Sequence, residues 1–587
     1  MQSLSAPASI SKRKQACKSC RQRKKRCDGE RPTCALCKKW GLRCEYSVPA
    51  AAVSDLDNFQ PELIGTLFGK QPFISPDLAS YLALDTVQMP NPGFEVPTAY
   101  DIPTIGPLNN EPYSLENTTA DLDLLADVAL PSCDVLLDMV DMFFSNYYSR
   151  LSCFHKATFY SELHSGKLNN EAPMLLYIIC SMVAHLHPDP SIKSQQDIWY
   201  NQAKFLYELT PRDPAPALRT IQTALCLIMH GFTRADYSTC WLLVGKAWRQ
   251  AASLGMNRLD TVRATNVVKD QVEISEENAI LSWRQWRGKT APEREECRRT
   301  LWFLYILDRN MSWPSGWPSA MSEQQFKLDI PTTDATFQSF TEDTELSSTR
   351  NVPFVRNLNS LIASTSTAKS PLNALHYLVV AHVLLGRIAE HVHSLYDSPD
   401  TPEYAQECDT LDDSLTKLRL SLPRTMSSVL EASANDRHHV LWLNVLLNSM
   451  AILLHYRESC YSRPDASQDH FIRAIAAAKN IVLIGKDTTR ISTSLLYSAH
   501  VLCSLYFAGC VLVIQWRTAN DESCKDDVEI VKLILDKAAD ETNNLGRKYR
   551  DALKRDLERS QSEILRLRDA GYQGLLVDCS QWAWPSK

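Results

Sequence analysis

Apolar residues recur at spacings of three and four along most of the chain from about residue 134 onward. This spacing puts apolar side chains on one stripe of a helix, whereas alternating strand patterns with Asn-Gly or Asp-Gly turns are almost absent. The pattern predicts long helices over five ranges in particular: 220–230, 237–254, 294–311, 372–395 and 438–457. We therefore expect a large all-α body, with polar loops over 260–290 and 332–368.

The stretch 495–516 contains no Asp, Glu, Lys or Arg and is long enough to cross a bilayer. Its apolar character is diluted by Ser498, His500, Ser504 and Gln515, and the sequence has no second segment of this kind. A helix that is apolar all round is either a membrane span or a core helix. We predict a buried core helix and no membrane partner.

Residues 51–130 differ in composition from the body that follows them. They hold one lysine against 12 acids, and nine prolines lie between Pro61 and Pro112. Proline at this density excludes long helices and central strands, so the pattern predicts an acidic linker that is disordered over much of its length. Two segments within it, 55–68 and 121–130, alternate acids with large apolar residues. They are either segments that bind coactivators or simple linker.

Charge divides the chain as sharply as hydropathy does. The net charge is −6, yet residues 1–47 hold 13 Lys and Arg against three acids, a balance of +10. The rest of the chain therefore carries −16, and this asymmetry indicates a basic arm for a polyanion joined to a body of another kind. Residues 1–11 lack an apolar leader segment, so we expect no secretory signal.

Six cysteines near the N-terminus form two copies of the pattern C-x2-C-x6-C: Cys17, Cys20, Cys27, Cys34, Cys37 and Cys44. Zinc prefers four tetrahedral thiolates, and C-x2-C lets one turn present two sulfurs to one ion. Six thiolates supply three for each of two ions, so full coordination requires two shared sulfurs. The sequence therefore predicts a cofactor of two zinc ions per chain.

Three other uses of these cysteines are less favoured. A disulfide knot needs an oxidising compartment, which a basic segment without a signal sequence argues against. A single zinc held by Cys17, Cys20, Cys34 and Cys37 leaves the two remaining cysteines unexplained at matched offsets. A RING-type site would need a histidine, and the segment has none.

The segment ACKSCRQRKKRCDGERPTCALCKKWGLRCEYS resembles the fungal Zn2Cys6 binuclear-cluster DNA-binding domain. In that family the first and fourth cysteines bridge both ions, which here implies Cys17 and Cys34 as bridges. The resemblance also implies that Arg23 and Lys24 read a CGG-type triplet in the major groove, where Arg and Lys donate to guanine acceptors. Family members usually carry Lys at the position of Arg23, which is a departure that could alter the preference.

Five of the six residues 21–26 are cations, and such a run held on a metal cluster suits the major groove. Beyond the two base readers, we expect phosphate contacts from Lys18, Arg21, Lys25, Arg26, Lys38, Lys39 and Arg43. Residues 12–14, Lys-Arg-Lys, are either a nuclear-import patch or an arm that contacts DNA. Trp40 is expected to pack the small domain rather than to touch bases.

Three stretches of the body, 143–159, 221–258 and 293–321, resemble the fungal-specific transcription factor domain, and the resemblance extends over about 134–520. The third stretch carries Glu295, Arg298, Arg299, Asp308 and Arg309. Acids and bases at helical spacing on an apolar helix predict ion pairs rather than an active site. No catalytic motif is present elsewhere, so we expect no enzyme.

These observations predict a small Zn2Cys6 binuclear-cluster domain, a flexible acidic linker and a large all-α regulatory domain. The predicted boundaries are 1–16 for a basic arm, 17–47 for the cluster, 48–130 for the linker, 131–520 for the regulatory domain and 521–587 for a helical tail.

The predicted function is sequence-specific DNA binding that regulates RNA polymerase II genes in the nucleus. Activation of a metabolic pathway or a biosynthetic gene cluster is favoured over repression. The rival hypothesis is a zinc cluster that docks a protein partner. A homodimer and a small-molecule effector inside the helical bundle stay open, because no residue pattern identifies either.

Overall fold

The structure is a computed structural model in which the chain forms two compact units, Met1–Asn110 and Glu111–Lys587. It describes residues 17, 20, 25, 27, 28, 30, 33–40 and 44 in the first unit. In the second unit it describes 128–260, 286, 288, 290–346, 351–367, 372–397, 399, 401–457, 464–541 and 544–579. The predicted linker 48–130 lies almost wholly outside the described residues.

In the first unit, one short helix, α1 (Ala35–Lys39), lies in the second half of the cysteine segment. Helices make up most of the described part of the second unit. They are α2 (Cys133–Asn146), α3 (Lys156–His164), α4 (Lys167–Glu171), α5 (Pro173–Val183), α6 (Pro190–Ser194), α7 (Gln196–Glu208), α8 (Ala217–Thr233), α9 (Tyr237–Ser253), α10 (Ala291–Ser315), α11 (Asp334–Gln338), α12 (Leu358–Thr367), α13 (Ala374–Val392), α14 (Pro402–Ser421), α15 (Arg424–Ser427), α16 (Arg437–His455), α17 (Pro464–Thr489), α18 (Ala499–Ala519), α19 (Glu522–Glu541), α20 (Asn544–Glu558) and α21 (Gln561–Cys579).

The all-α prediction for the body is confirmed. The five predicted ranges correspond to α8, α9, α10, α13 and α16, each extended or trimmed by a few residues. Among the described residues no strand forms, and the extended pairing is a single antiparallel bridge between Ile330 and Val352. The prediction of a continuous loop over 332–368 is wrong, because α11 and α12 lie within it. In the Ser- and Thr-rich α12, Leu361 and Ile362 are buried against the core, which stabilises a helix that propensity alone disfavours.

Helix α10 is 25 residues long, and a capping residue at one end and a glycine at the other define where it begins and ends. The hydroxyl of Thr290 accepts a hydrogen bond from the Glu293 N–H at 3.3 Å, which caps its N-terminus. It ends at Gly316, whose φ of +70° is a left-handed conformation that glycine adopts without strain. Between them Trp302 is fully buried and meets the Phe326 ring edge-on at 4.5 Å. Helix α10 is thus a central element of the core.

The charged residues of α10 form buried ion pairs, as predicted. Arg299 and Glu295 are both fully buried and lie 3.2 Å apart, and Arg299 Nη1 also donates to the Ser152 carbonyl at 2.8 Å. About two turns after Trp302, Arg309 pairs with Asp308 at 2.9 Å. Each of these buried charges lies beside an opposite charge and away from water. The ion pairs therefore hold the neighbouring loops in one position against α10.

Helix α18 corresponds to the uncharged stretch 495–516. Among the helices that the structure describes, α18 alone is long and apolar enough to cross a membrane. However, 78% of its most apolar stretch is buried inside the protein. It packs against α16, α17, α19, α20 and α21. The prediction of a core helix is therefore confirmed by its packing.

The helices over 522–579 share this core. The hydroxyls of Tyr237 and Tyr549 lie 3.1 Å apart, which joins α9 to α20. The Tyr572 hydroxyl donates to the Trp313 carbonyl at 3.3 Å, which joins α21 to α10. The predicted boundary between a regulatory domain and a tail falls at Asn520, where α18 ends with a φ of +57°. That residue marks the end of a helix within one continuous hydrophobic core.

Candidate metal centre and DNA-binding module

The six cysteine sulfurs converge although their residues are spread over both halves of the segment. Cys17, Cys20, Cys34 and Cys37 are buried, and Cys27 and Cys44 are half-buried. The sulfurs form two sets of four, each with all four atoms within 4.8 Å of one another. The first set is Cys17, Cys20, Cys27 and Cys34, and the second is Cys17, Cys34, Cys37 and Cys44. Cys17 and Cys34 therefore belong to both sets.

The distances between sulfurs fit zinc rather than disulfides. A tetrahedral ion with Zn–S bonds of about 2.3 Å separates its ligand sulfurs by about 3.8 Å. The Sγ atoms of Cys17 and Cys34 lie 3.8 Å apart, and those of Cys20 and Cys34 lie 3.7 Å apart. A disulfide would need about 2.05 Å, and none of these six described cysteines forms one. Two four-sulfur sets with two shared members are the arrangement that six thiolates need to complete two ions.

Each half of the cluster is built by the same local hydrogen bond. The backbone N–H of Cys20 donates to Cys17 Sγ at 3.5 Å, and the N–H of Cys37 donates to Cys34 Sγ at 3.4 Å. In both halves the accepting sulfur is the shared one. Burial acts to raise the pKa of Cys17, but the hydrogen bonds from Cys20, the backbone one first, outweigh it and lower the pKa to about 6. Burial raises the pKa of Cys20.

Asp28 connects the first half of the segment to the helix of the second. One carboxylate oxygen accepts a hydrogen bond from the Ala35 N–H at 3.0 Å, at the N-terminus of α1. Its other oxygen accepts from the Glu30 N–H at 3.3 Å. A carboxylate at a helix N-terminus satisfies free N–H groups and interacts favourably with the helix dipole. Asp28 was not predicted as a functional residue, although an acid seven residues before the first residue of a short helix was the available signal.

Few of the predicted DNA contacts can be located. Lys25, Lys38 and Lys39 are described, and all three are exposed. Lys38 and Lys39 occupy the last turn of α1, a favourable place for cations. The following predicted contacts lie outside the described residues: Lys18, Arg21, Arg23, Lys24, Arg26 and Arg43. The expectation that Trp40 packs the small domain is wrong, because its side chain is 65% exposed.

Comparison with protein families matches both regions. Residues 15–52 match the fungal Zn(2)-Cys(6) binuclear cluster domain, and residues 140–420 match the fungal specific transcription factor domain. The first match covers all six cysteines, and the second covers most of the helices that meet at α10. This module binds two zinc ions, in agreement with the geometry of the sulfurs.

Curated relatives are fungal regulators. An uncharacterized transcriptional regulatory protein of Schizosaccharomyces pombe is 26% identical over 380 residues, which cover 60% of this chain and 47% of the relative. The citrinin biosynthesis transcriptional activator mrl3 of Monascus ruber is 22% identical over 55% of this chain and 64% of its own length. The pigment biosynthesis transcriptional activator pigB of the same fungus is 23% identical over 55% of this chain and 56% of its own.

The chain thus spans less than two thirds of the length of these relatives. No solved structure matches it. Both domain matches and all three relatives nevertheless agree on one kind of protein. The chain belongs to the family of fungal Zn(2)-C6 transcription factors, whose two-zinc module serves sequence-specific, DNA-binding regulation.

Proposed function

We propose that this protein is a nuclear activator of RNA polymerase II genes that recognises CGG-type sites through Arg23 and Lys24. The observation that carries the proposal is the pair of four-sulfur sets that share Cys17 and Cys34, next to a run of five cations in six residues. A two-zinc cluster of this size is too small to hold a catalytic pocket. It can, however, present a rigid cationic surface to the major groove.

In this proposal the cysteines divide into three roles. Cys17 and Cys34 bridge both ions, Cys20 and Cys27 complete the first, and Cys37 and Cys44 complete the second. Six thiolates and two Zn²⁺ sum to a formal charge of −2, which the surrounding cations offset. Zinc supplies structure only, because every coordination position is filled by sulfur and none is left for water.

Different cations of the module contact the bases and the phosphates of the DNA. Arg23 and Lys24 donate to the O6 and N7 acceptors of guanine, which distinguish G·C pairs in the major groove. The remaining cations of the module, Lys18, Arg21, Lys25, Arg26, Lys38, Lys39 and Arg43, neutralise phosphates. Phosphate contacts fix the position of the module on DNA and make binding steeply dependent on salt, without reading sequence.

The activating role is supported by two relatives that are named as activators of biosynthesis, of citrinin and of pigment. We propose that this chain likewise activates a biosynthetic gene cluster, and that the acidic, apolar segments 55–68 and 121–130 recruit coactivators. Nuclear import would use the basic residues 12–14. All relatives reported above are regulators, which supports a regulatory rather than an enzymatic role.

The sharpest test compares two double variants of the full-length, zinc-loaded protein on DNA. Arg23→Ala/Lys24→Ala removes the proposed base readers, and each lost contact with guanine costs about 1–3 kcal/mol of discrimination. Lys38→Ala/Lys39→Ala, at exposed positions of α1, should weaken binding to every sequence alike and reduce the salt slope by about one per lysine. Fluorescence anisotropy with CGG-containing and scrambled duplexes separates these effects.

Equal loss of specificity in both double variants would contradict the assignment of the base readers. If neither variant changes DNA affinity while zinc content and folding persist, the rival hypothesis of a protein-docking cluster is favoured. Mapping genomic sites by chromatin immunoprecipitation then identifies the regulated genes. The direction of their change on deletion of the protein separates an activator from a repressor.

The same binding sites report the oligomeric state. A homodimer reads two triplets at a fixed spacing, whereas a monomer protects a single triplet. Footprinting on the mapped sites distinguishes the two, because the length of the protected stretch follows the number of modules bound.

A further inference from the structure

The helical unit contains a cavity of about 450 Å³ among helices that are far apart in sequence. Its walls come from the turn that follows α2 and from α5, α8, α9, α10, α16, α18 and α20. This volume lies in the range of small-molecule sites, about 300–1,000 Å³.

Large aromatic side chains supply much of the lining. Trp313 and Trp442 face the cavity from α10 and α16, and Phe232 faces it from α8. Trp442 stacks on the imidazole of His500 with centroids 3.8 Å apart, so each ring holds the other in place. Rigid aromatic walls of this kind favour a flat, largely apolar ligand.

Arg150 is the cation of this cavity, and it differs from the buried arginines around α10. Arg219, Arg298, Arg299 and Arg309 each pair with a carboxylate at 3.2 Å or less. Arg150 makes no ion pair with any acid that the structure describes, and its Nε atom is buried without a hydrogen-bond partner. The guanidinium carbon of Arg150 lies over the Tyr147 ring, 5.8 Å from the ring centroid, in a cation–π contact.

Burial lowers the pKa of Arg150, yet a guanidinium stays charged in proteins. Arg150 is half-buried, and a partly desolvated charge without an acidic partner is less stable than one that is paired. The cavity therefore holds a positive charge whose natural complement is an anion.

Four further polar atoms of the lining are buried without a partner. They are Asn310 Oδ1, His439 Nε2, Trp442 Nε1 and Tyr497 Oη. Buried polar groups in folded proteins are nearly always hydrogen-bonded, so several unpaired ones at one cavity need an explanation. A bound molecule with polar substituents would satisfy them together.

Among the residues that the structure describes, no carboxylate lines the cavity to compete for Arg150. Burial lowers the pKa of His230 and of His438 to about 3, so both rings are neutral at physiological pH. Asp334 and Asp436 act electrostatically on His439, but neither of them belongs to the lining. The electrostatic balance inside the cavity is therefore set by the Arg150 guanidinium.

We propose that this cavity binds a small aromatic carboxylate, with the carboxylate paired to Arg150 and the aromatic body against Trp313 and Trp442. A planar carboxylate matches the forked donors of a guanidinium and gains most where water is excluded. Through such a site, the helical unit responds directly to a small molecule. Its test needs no DNA, so its failure would leave the DNA-binding proposal intact.

The experiment uses the full-length, zinc-loaded protein and a panel of matched probes. Biphenyl-4-carboxylate, 2-naphthoate and indole-3-acetate are each compared with the corresponding carboxamide, which keeps the shape and removes the charge. Binding is followed by isothermal titration and by quenching of tryptophan fluorescence. We expect at least one acid to bind below about 1 mM and its amide to bind at least tenfold more weakly, which is 1.4 kcal/mol.

Variants then test whether Arg150 is the charge that makes the acid bind more tightly than its amide. Arg150→Met should abolish the preference for acid over amide, and Arg150→Lys should retain part of it. Arg387→Met is the matched control, because Arg387 pairs with Glu323 at 2.9 Å and lies outside the lining. It should leave the preference unchanged.

Three results would each overturn the proposal. One is that no acid of the panel binds up to about 5 mM, far above the affinities usual for a pocket of this size. Another is that acid and amide bind equally to the wild-type protein, a comparison that needs no variant to fold. The third is that a folded Arg150→Met variant, checked by circular dichroism, keeps the full preference.

Discussion

The two units are stabilised in different ways. In the zinc module, the buried cluster among the described residues consists of Cys17, Cys20, Cys34 and Cys37 alone, with Leu36 packed at its edge. In the helical unit, one continuous apolar core extends from α2 to α21. A domain of about 40 residues buries too little surface to fold by the hydrophobic effect, and metal ligation replaces the missing core. Each unit can therefore be destabilised without the other.

Removal of zinc should have the largest effect and should affect one unit only. Structural zinc contributes about 10–16 kcal/mol to the folding of small zinc domains, so a strong chelator should abolish DNA binding completely. The helical unit, which has no sulfur site among its described residues, should keep its far-ultraviolet circular dichroism and its thermal transition. Chelator titration with both readouts checks this.

Readdition of zinc provides the control for that experiment, since it should restore DNA binding without changing helicity. Parallel loss of the helical signal over the same range of chelator concentration would show that the two units do not fold independently.

Loss of a shared sulfur should remove twice as much metal as loss of an unshared one. Cys34 belongs to both four-sulfur sets, and Cys44 to one. Cys34→Ala should therefore lose both ions, whereas Cys44→Ala should retain the ion of the first set. Native mass spectrometry counts the ions directly.

Cys133→Ala is the matched control for these two variants, because Cys133 is an exposed cysteine of the helical unit. It should retain two ions. A wild-type protein that carries one ion, or a Cys34→Ala variant that keeps one, would disprove the sharing of Cys17 and Cys34.

In the helical unit, the largest single-residue effect should come from a buried ion pair. Arg299→Met removes one of the two arginine partners of the fully buried Glu295, which keeps Arg298 at 3.2 Å, and it removes a donor to the Ser152 carbonyl. The lost pair and the unsatisfied carbonyl together cost about 3 kcal/mol. Arg212→Met, at a side chain that is 80% exposed, should change stability by less than about 0.5 kcal/mol. Urea unfolding measures both, while zinc content should stay at two ions in each.

Close packing on α13 predicts a smaller effect. A Cβ at Gly386 would lie 2.6 Å from Arg309 Nε, so Gly386→Ala forces the buried guanidinium to move. Overpacking of this kind costs about 1–3 kcal/mol. Gly485→Ala is the control, because its nearest atom is the flexible end of Ile534 at 3.3 Å. Equal stability losses for the two variants would show that helix propensity or general crowding, rather than Arg309, sets the cost.

Acidification should destabilise the helical unit through its buried histidines. Burial lowers the pKa of His382 to about 3, below the ordinary 6.5. The unfolded chain therefore takes up a proton first, so the stability present above pH 6.5 is lost as the pH falls towards 3. For one histidine this loss is roughly 2 kcal/mol between pH 7 and pH 5.

His382→Asn should remove the uptake of one proton on unfolding. The difference in the free energy of unfolding between pH 7 and pH 5 should therefore be smaller in this variant than in the wild type. His164→Asn replaces an exposed histidine of α3 and should leave the pH dependence unchanged. An identical slope in wild type and His382→Asn would mean that His382 is not held neutral by the fold.

The contrast between the units also explains what the sequence could predict. The sulfur ligands lie within 28 residues, and the geometry of one ion fixes their spacing, so the pattern alone predicted two ions with two shared sulfurs. That Cys17 and Cys34 are the shared pair was implied by the resemblance to the family. Long helices such as α8 and α16 were predicted because each has a continuous apolar stripe. The Ser- and Thr-rich α12 was missed, because its helix depends on tertiary contacts of Leu361 and Ile362.

The cavity could not be predicted from local patterns, since its lining extends from Tyr147 to Tyr549. Arg150 has no distinguishing neighbour in sequence, and only the folded core shows that it lacks an acidic partner. Trp40 was misjudged for a related reason, because the module is too small to cover a large ring once the sulfurs occupy its interior.

The contact between Tyr572 and Trp313 has a consequence for synthesis on the ribosome. The zinc module is complete after about 50 residues, whereas the core of the helical unit requires α21, some 530 residues later. At about 5–20 residues per second, roughly 25–110 s separate these events. During that interval a nascent chain has a finished metal module and an unfinished core. A premature stop codon after α18 would make this state permanent and would mark the product for degradation.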